Sequence, residues 1–114
     1  MTMASRAVFS NKRIQQTGVG SSNWIILDKG GAGVASVQVE ASASATVSIQ
    51  CTLSLSLINA GDTVPAAEIN DIQDMTDLVA NGAFTIQGPI KAVRINQTAG
   101  VGTSTITVLQ AEGN

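Results

Sequence analysis

Asp71, Asp74 and Asp77 in "DIQDMTDL" form the densest group of ionisable side chains in the sequence. Carboxyls that converge can share a proton in acid–base chemistry or ligate calcium. The spacing here opposes both. A loop that wraps a cation needs the alternating D-x-D-x-D-G placement, and a spacing of three on a helical turn lets the carboxylates diverge. The three acids therefore read as a solvated face that also suits a helix N-terminus. The sequence has no His and no Tyr. That removes the commonest general base, the commonest zinc ligand and every Ser–His or Cys–His arrangement. Cys51 is the single cysteine. It cannot form an internal disulfide, and no His or Lys stands near it in sequence to lower its pKa, so it reads as a small buried hydrophobe. "GVG", "GGAG" and the second "GVG" lack the G-K-[ST] and the strand–helix setting of a phosphate loop, and read as turns. The residues thus predict no catalytic site, no metal site and no cofactor.

Residues suited to contact are easier to find. Arg94 lies mid-strand in "IKAVRIN", on the face of Ile90 and Ala92. It suits either an internal ion pair or a partner contact. Trp24, the sole tryptophan, reads as a core anchor. Charge is uneven along the chain. Residues 1–34 carry Arg6, Lys12, Arg13 and Lys29 against Asp28, a net +3; the remainder carries a net −5. A basic leading segment, with Arg6, Lys12 and Arg13, is expected to dock on an acidic surface. Nucleic acid is excluded as a partner, because three cations make too small a phosphate footprint and Phe9 is the one ring beside them.

"TVSIQCTLSLSLIN", residues 46–59, alternates strictly, with Val47, Ile49, Cys51, Leu53, Leu55 and Leu57 on one face. The other face holds Ser48, Gln50, Thr52 and Ser54. No charge occurs from Ala41 to Gly61, so the strand lacks the lysines that keep sheets apart. The expectation is a face covered by the second layer of the fold or by a partner protein, either a sister subunit or another protein it binds, with a protein partner favoured over plain solvent exposure.

Positioning such residues requires strands. The 114 residues suffice for one core, with 12% charged and 3% aromatic residues. Ser and Thr number 22, and β-branched segments broken by Gly and Asn favour an all-β sandwich over a bundle. Residues 1–22 read as an extended N-terminal arm and 23–114 as a single antiparallel β-sandwich or jelly-roll-like domain. "WIILD" (24–28) and "VASVQVE" (34–40) are expected to pair as a hairpin across "KGGAG". A long connection follows the 46–59 strand, with one short helical turn over 70–78 suggested by Ile72, Met75 and Val79. "AFTIQ", "IKAVRIN" and "TSTITVLQ" close the chain. The last two are expected to form a hairpin with Val93 and Ile95 facing Ile106 and Val108. No continuous apolar h-region or long apolar run predicts export or a membrane span. The expectation is a soluble chain made in the cytoplasm.

"DLVANGAFTIQGPIKAVRINQTAGVGTSTITVLQ", over roughly 77–110, resembles a segment of small tailed-bacteriophage virion proteins, the capsid decoration (cement) proteins above all. Its parts are a Gly-Ala-Phe strand, "GPIKAVRIN", a "TAGVG" loop and a closing strand. The resemblance implies a non-enzymatic homo-oligomer, dimer or trimer, that binds the major capsid protein on the virion surface and stabilises the shell. It fixes no contact residue. Arg6, Lys12, Arg13, Ser48, Gln50, Thr52, Ser54 and Arg94 are the interface candidates from the residues themselves. The alternatives are a tail, neck or fibre-base component, and a small ligand- or glycan-binding sandwich, for which Trp24, Phe9 and Phe84 offer few ring platforms.

Overall fold

The structure, a computed structural model, describes residues 9–27, 34–42, 44–54, 56–87 and 90–111. Its strands in chain order are β1 (Phe9–Thr17), β2 (Gly20–Ser21), β3 (Ile25–Ile26), β4 (Val34–Ala41), β5 (Thr46–Thr52), β6 (Ile69–Asp71), β7 (Gly82–Gln87), β8 (Ala92–Ala99) and β9 (Thr103–Ala111). The first sheet has the order β1-β9-β4-β7. The second has the order β2-β8-β5-β6, with β3 also paired to β8. Every pairing is antiparallel. The expected all-β antiparallel sandwich is what forms.

Period-two alternation explains why the sheets stack. Val37 and Val39 of β4 and Ile106 and Val108 of β9 point inward from the first sheet. They meet Val47 and Ile49 of β5 and Val93 and Ile95 of β8 in one buried cluster. Each such side chain removed from water contributes about 1.5–3 kcal/mol of transfer free energy. Ala92, one residue before Val93, faces the other way. It belongs to a smaller cluster with Trp24, Leu57 and Val64, packed by Ile26 and Ile69 on the outer side of the second sheet. Trp24 is therefore buried, as expected of an anchor, but outside the inter-sheet core.

Both expected hairpins are replaced by crossovers between sheets. The segment around Ile25–Ile26 pairs with β8, whereas β4 lies in the other sheet between β9 and β7. β8 and β9 likewise belong to different sheets. Val93 and Ile95 do share the core with Ile106 and Val108, but across the sandwich. Alternation and a Gly-containing loop are the same signal for a hairpin and for a crossover. Longer partners decide it here: β4 and β9 register over seven residue pairs, from Ala35↔Gln110 to Ala41↔Ser104. The loop between β8 and β9 is pinned by Gln97, which is fully buried and donates to the carbonyls of Gly100 at 3.2 Å and Gly102 at 2.9 Å.

The expected helical turn over 70–78 is also corrected. A short 3-10 turn sits earlier, at Ala66–Glu68, and Ile69–Asp71 is strand. Residues 72–78 then run along β5, with Ile72 N–H donating to Ile49 O and Ile49 N–H to Met75 O, at 2.9 and 2.8 Å. Val47 and Leu78 exchange both backbone bonds. Met75 enters the core and Ile72 and Leu78 pack against it, while Val79 is exposed. The spacing of three came from this irregular strand addition, which left-handed backbone at Asp74 (φ 70) and Asp77 (φ 55) makes possible.

Within the expected extended arm, residues 9–17 and 20–21 are strand, and residues 1–8 lie outside the described residues. β1 registers with β9 over nine pairs, Phe9↔Ala111 to Thr17↔Thr103, and Ile14 packs on the core.

Candidate interaction surfaces

The outer face of the second sheet carries most of the residues expected at an interface. In register, Ser48 sits beside Asn96, Gln50 beside Arg94 and Thr52 beside Ala92. The chain itself covers much of this face. Ser48, Thr52 and Ser54 are 2%, 1% and 5% exposed. Ser48 Oγ accepts the N–H of Asp77 at 3.0 Å, and Thr52 Oγ1 accepts that of Ser54 at 3.0 Å. Ser54 Oγ in turn accepts the N–H of Ser56 at 3.3 Å. The hydroxyls on this side of the strand are thus taken up by the backbone N–H groups of Ser54, Ser56 and Asp77, which the chain itself brings over them. Ser48, Thr52 and Ser54 offer no open contact surface.

Gln50 and Arg94 remain partly accessible and act together. Arg94 Nε donates to Gln50 Oε1 at 2.9 Å, and Gln50 Nε2 donates to Asp71 Oδ1 at 3.1 Å. The Arg94 guanidinium lies over the Trp24 ring, 4.6 Å from its centroid. Partial burial pulls the Arg94 pKa below its ordinary value; a guanidinium in a protein stays charged. The amide relay leaves Arg94 without a carboxylate partner among the described residues. Asp71, Asp74 and Asp77 do not converge: all three are exposed, and Asp71 is engaged by Gln50.

On the first sheet Lys12 and Arg13 point to opposite sides of β1. Lys12 Nζ donates to Ile26 O at 2.7 Å, tying β1 to the second sheet. Arg13 meets Glu40 at 3.8 Å with both side chains well exposed, a pair worth about 0–1 kcal/mol. Arg6 lies outside the described residues. Cys51 is half-buried against the core, and its thiol is pushed up by burial and then by the Asp71 charge, which keeps it protonated and unreactive.

The surfaces that sequence reasoning missed are the lateral edges of the first sheet. β1 and β7 end the strand order, so each leaves one row of backbone groups unpaired by any described strand. β7, "GAFTIQ", has no charge and no Pro to guard that edge. β1 carries Asn11, Arg13, Gln15 and Thr17 outward. The available signal was the unbroken run from Phe9 to Thr17, which has neither Gly nor Pro. Its mostly polar side chains disguised the alternation.

No family model matches this chain, and no curated protein matches it. A solved chain from Bacillus endospore appendages, which form a novel family of disulfide-linked pili, is similar in fold. The match covers 92% of this chain and 88% of that one, with a TM-score of 0.51 and 17% identity. At that identity the likeness extends to the fold alone.

Proposed function

We propose that this protein is a non-enzymatic structural subunit whose copies join side by side through the edges of the first sheet. One observation carries the reading: the two edge strands, which no described strand pairs further, match in direction. β1 and β4 run one way and β9 and β7 the other, because each neighbouring pair is antiparallel. A second copy in the same orientation therefore brings its β1 antiparallel to the first copy's β7, continuing the sheet. The second sheet repeats the logic, since β2 and β6 at its ends are also antiparallel in sense. Such a contact is heterologous, and it extends as a ring or filament instead of closing as a two-fold dimer.

The pilus-forming protein of similar fold supports an assembling role. Disulfide linkage does not follow for the residues in hand, since Cys51 is half-buried and its thiol is raised in pKa. The resemblance of residues 77–110 supports a second reading, decoration of a phage shell, with the major capsid protein as partner and the virion surface as location. Electron microscopy of the purified protein separates the two. Edge-to-edge assembly predicts rings or filaments from the protein alone at high concentration. Monodisperse particles that coat added phage heads would overturn it in favour of decoration.

A further inference from the structure

The outer face of the second sheet holds a recess of about 280 Å³, lined by Arg94, Trp24, Ser22, Asn23, Asp62 and Thr63 among others. Its chemistry is unusual for so lightly charged a chain. A guanidinium presents five N–H donors, and Arg94 uses only Nε, on Gln50 Oε1. Neither Nη donates to any described residue, and no described acid forms an ion pair with Arg94. The side chain is nevertheless held in place. The Gln50–Asp71 relay fixes its Nε edge and the Trp24 ring lies under its plane. An arginine immobilised in this way has already lost the side-chain freedom that binding normally costs.

From this geometry we infer that the Arg94–Trp24 recess binds a carboxylate, taken between the two Nη groups of Arg94. The fork of a guanidinium matches the two oxygens of a planar carboxylate. The rim selects against more highly charged anions. Asp62 lines the same recess, and its backbone bonds from Asn59 and Ile58 keep it ionised. One cation facing one fixed anion tolerates a monoanion and repels a phosphate dianion. The carboxylate can belong to a small molecule or to an acidic side chain of a peptide. Both place the same group against Arg94.

Trp24 is the sole tryptophan, so its fluorescence reports on this recess alone. Acetate, a Glu-containing tripeptide with blocked termini and inorganic phosphate are titrated at constant ionic strength, with chloride as control. The expected result is a saturable change with acetate or the peptide, and at least about tenfold weaker binding in Arg94→Gln and Arg94→Lys. Preference for the peptide assigns the site to a protein partner; equal response assigns it to free carboxylates. Asp62→Asn retains Arg94 and should bind both carboxylate and phosphate more tightly. Thermal melts of each variant confirm that it is folded. A response equal to chloride, a response unchanged in folded Arg94→Gln, or tighter binding of phosphate than of carboxylate by the wild type would each overturn the inference.

Discussion

Asp62 holds the turn after β5's long loop with a single oxygen. Its Oδ2 accepts the N–H groups of Asn59 at 2.8 Å and Ile58 at 2.9 Å, which keeps the carboxyl below its ordinary value of 3.8. Because the folded-state pKa is depressed, the unfolded chain takes up the proton first as pH falls. The stabilisation is present above the unfolded value and disappears as pH drops through the folded one. Melts at stepped pH should therefore show wild type losing Tm below about pH 4 more steeply than Asp62→Asn, with the gap closing at the acid end. Gly100 makes a second prediction at this scale. It has φ +93, and a Cβ there would run into the backbone carbonyl of Ser44. Gly100→Ala should cost about 2 kcal/mol or more, read by denaturant unfolding, because both backbone strain and a backbone clash oppose it.

Strand by strand, the sequence carried the faces better than the pairings. Val47 and Ile49, Val93 and Ile95, and Ile106 and Val108 all lie on the sides their alternation assigned. Which strand each would pair with was not legible, because hydrogen-bond partners depend on chain path and Gly-rich loops permit more than one. β1 was missed for a related reason. Its inner face bears Lys12, Ile14 and Gln16, a pattern too polar to signal a strand, yet Lys12 reaches the Ile26 carbonyl and Ile14 packs on the core. The source of the cover was not legible: Ser48 is met by Asp77, on a segment that joins β5 with no regular period of its own, and Thr52 by the N–H of Ser54 just after the strand. The role of β1 is testable by truncation. Removing 1–17 strips an entire strand from β9, and should abolish cooperative thermal unfolding or lower Tm by well over 10 °C, about what a loss of several kcal/mol predicts for a chain of this size.

At the scale of the whole molecule, the decisive feature is that both sheets have antiparallel terminal strands on opposite flanks. A sandwich built this way can add copies of itself indefinitely without reversing direction. Most sandwiches block that outcome with charges or Pro on their edges. β7 has neither. The most direct test is amide hydrogen exchange followed residue by residue as protein concentration rises. The account predicts that the outward N–H groups of β1 and of β7 gain protection together, over the same concentration range, while β4 and β9 stay unchanged. Protection at one edge alone would mean a two-fold dimer, and no concentration dependence at either edge would mean that the sheet does not extend from copy to copy; either result contradicts the account.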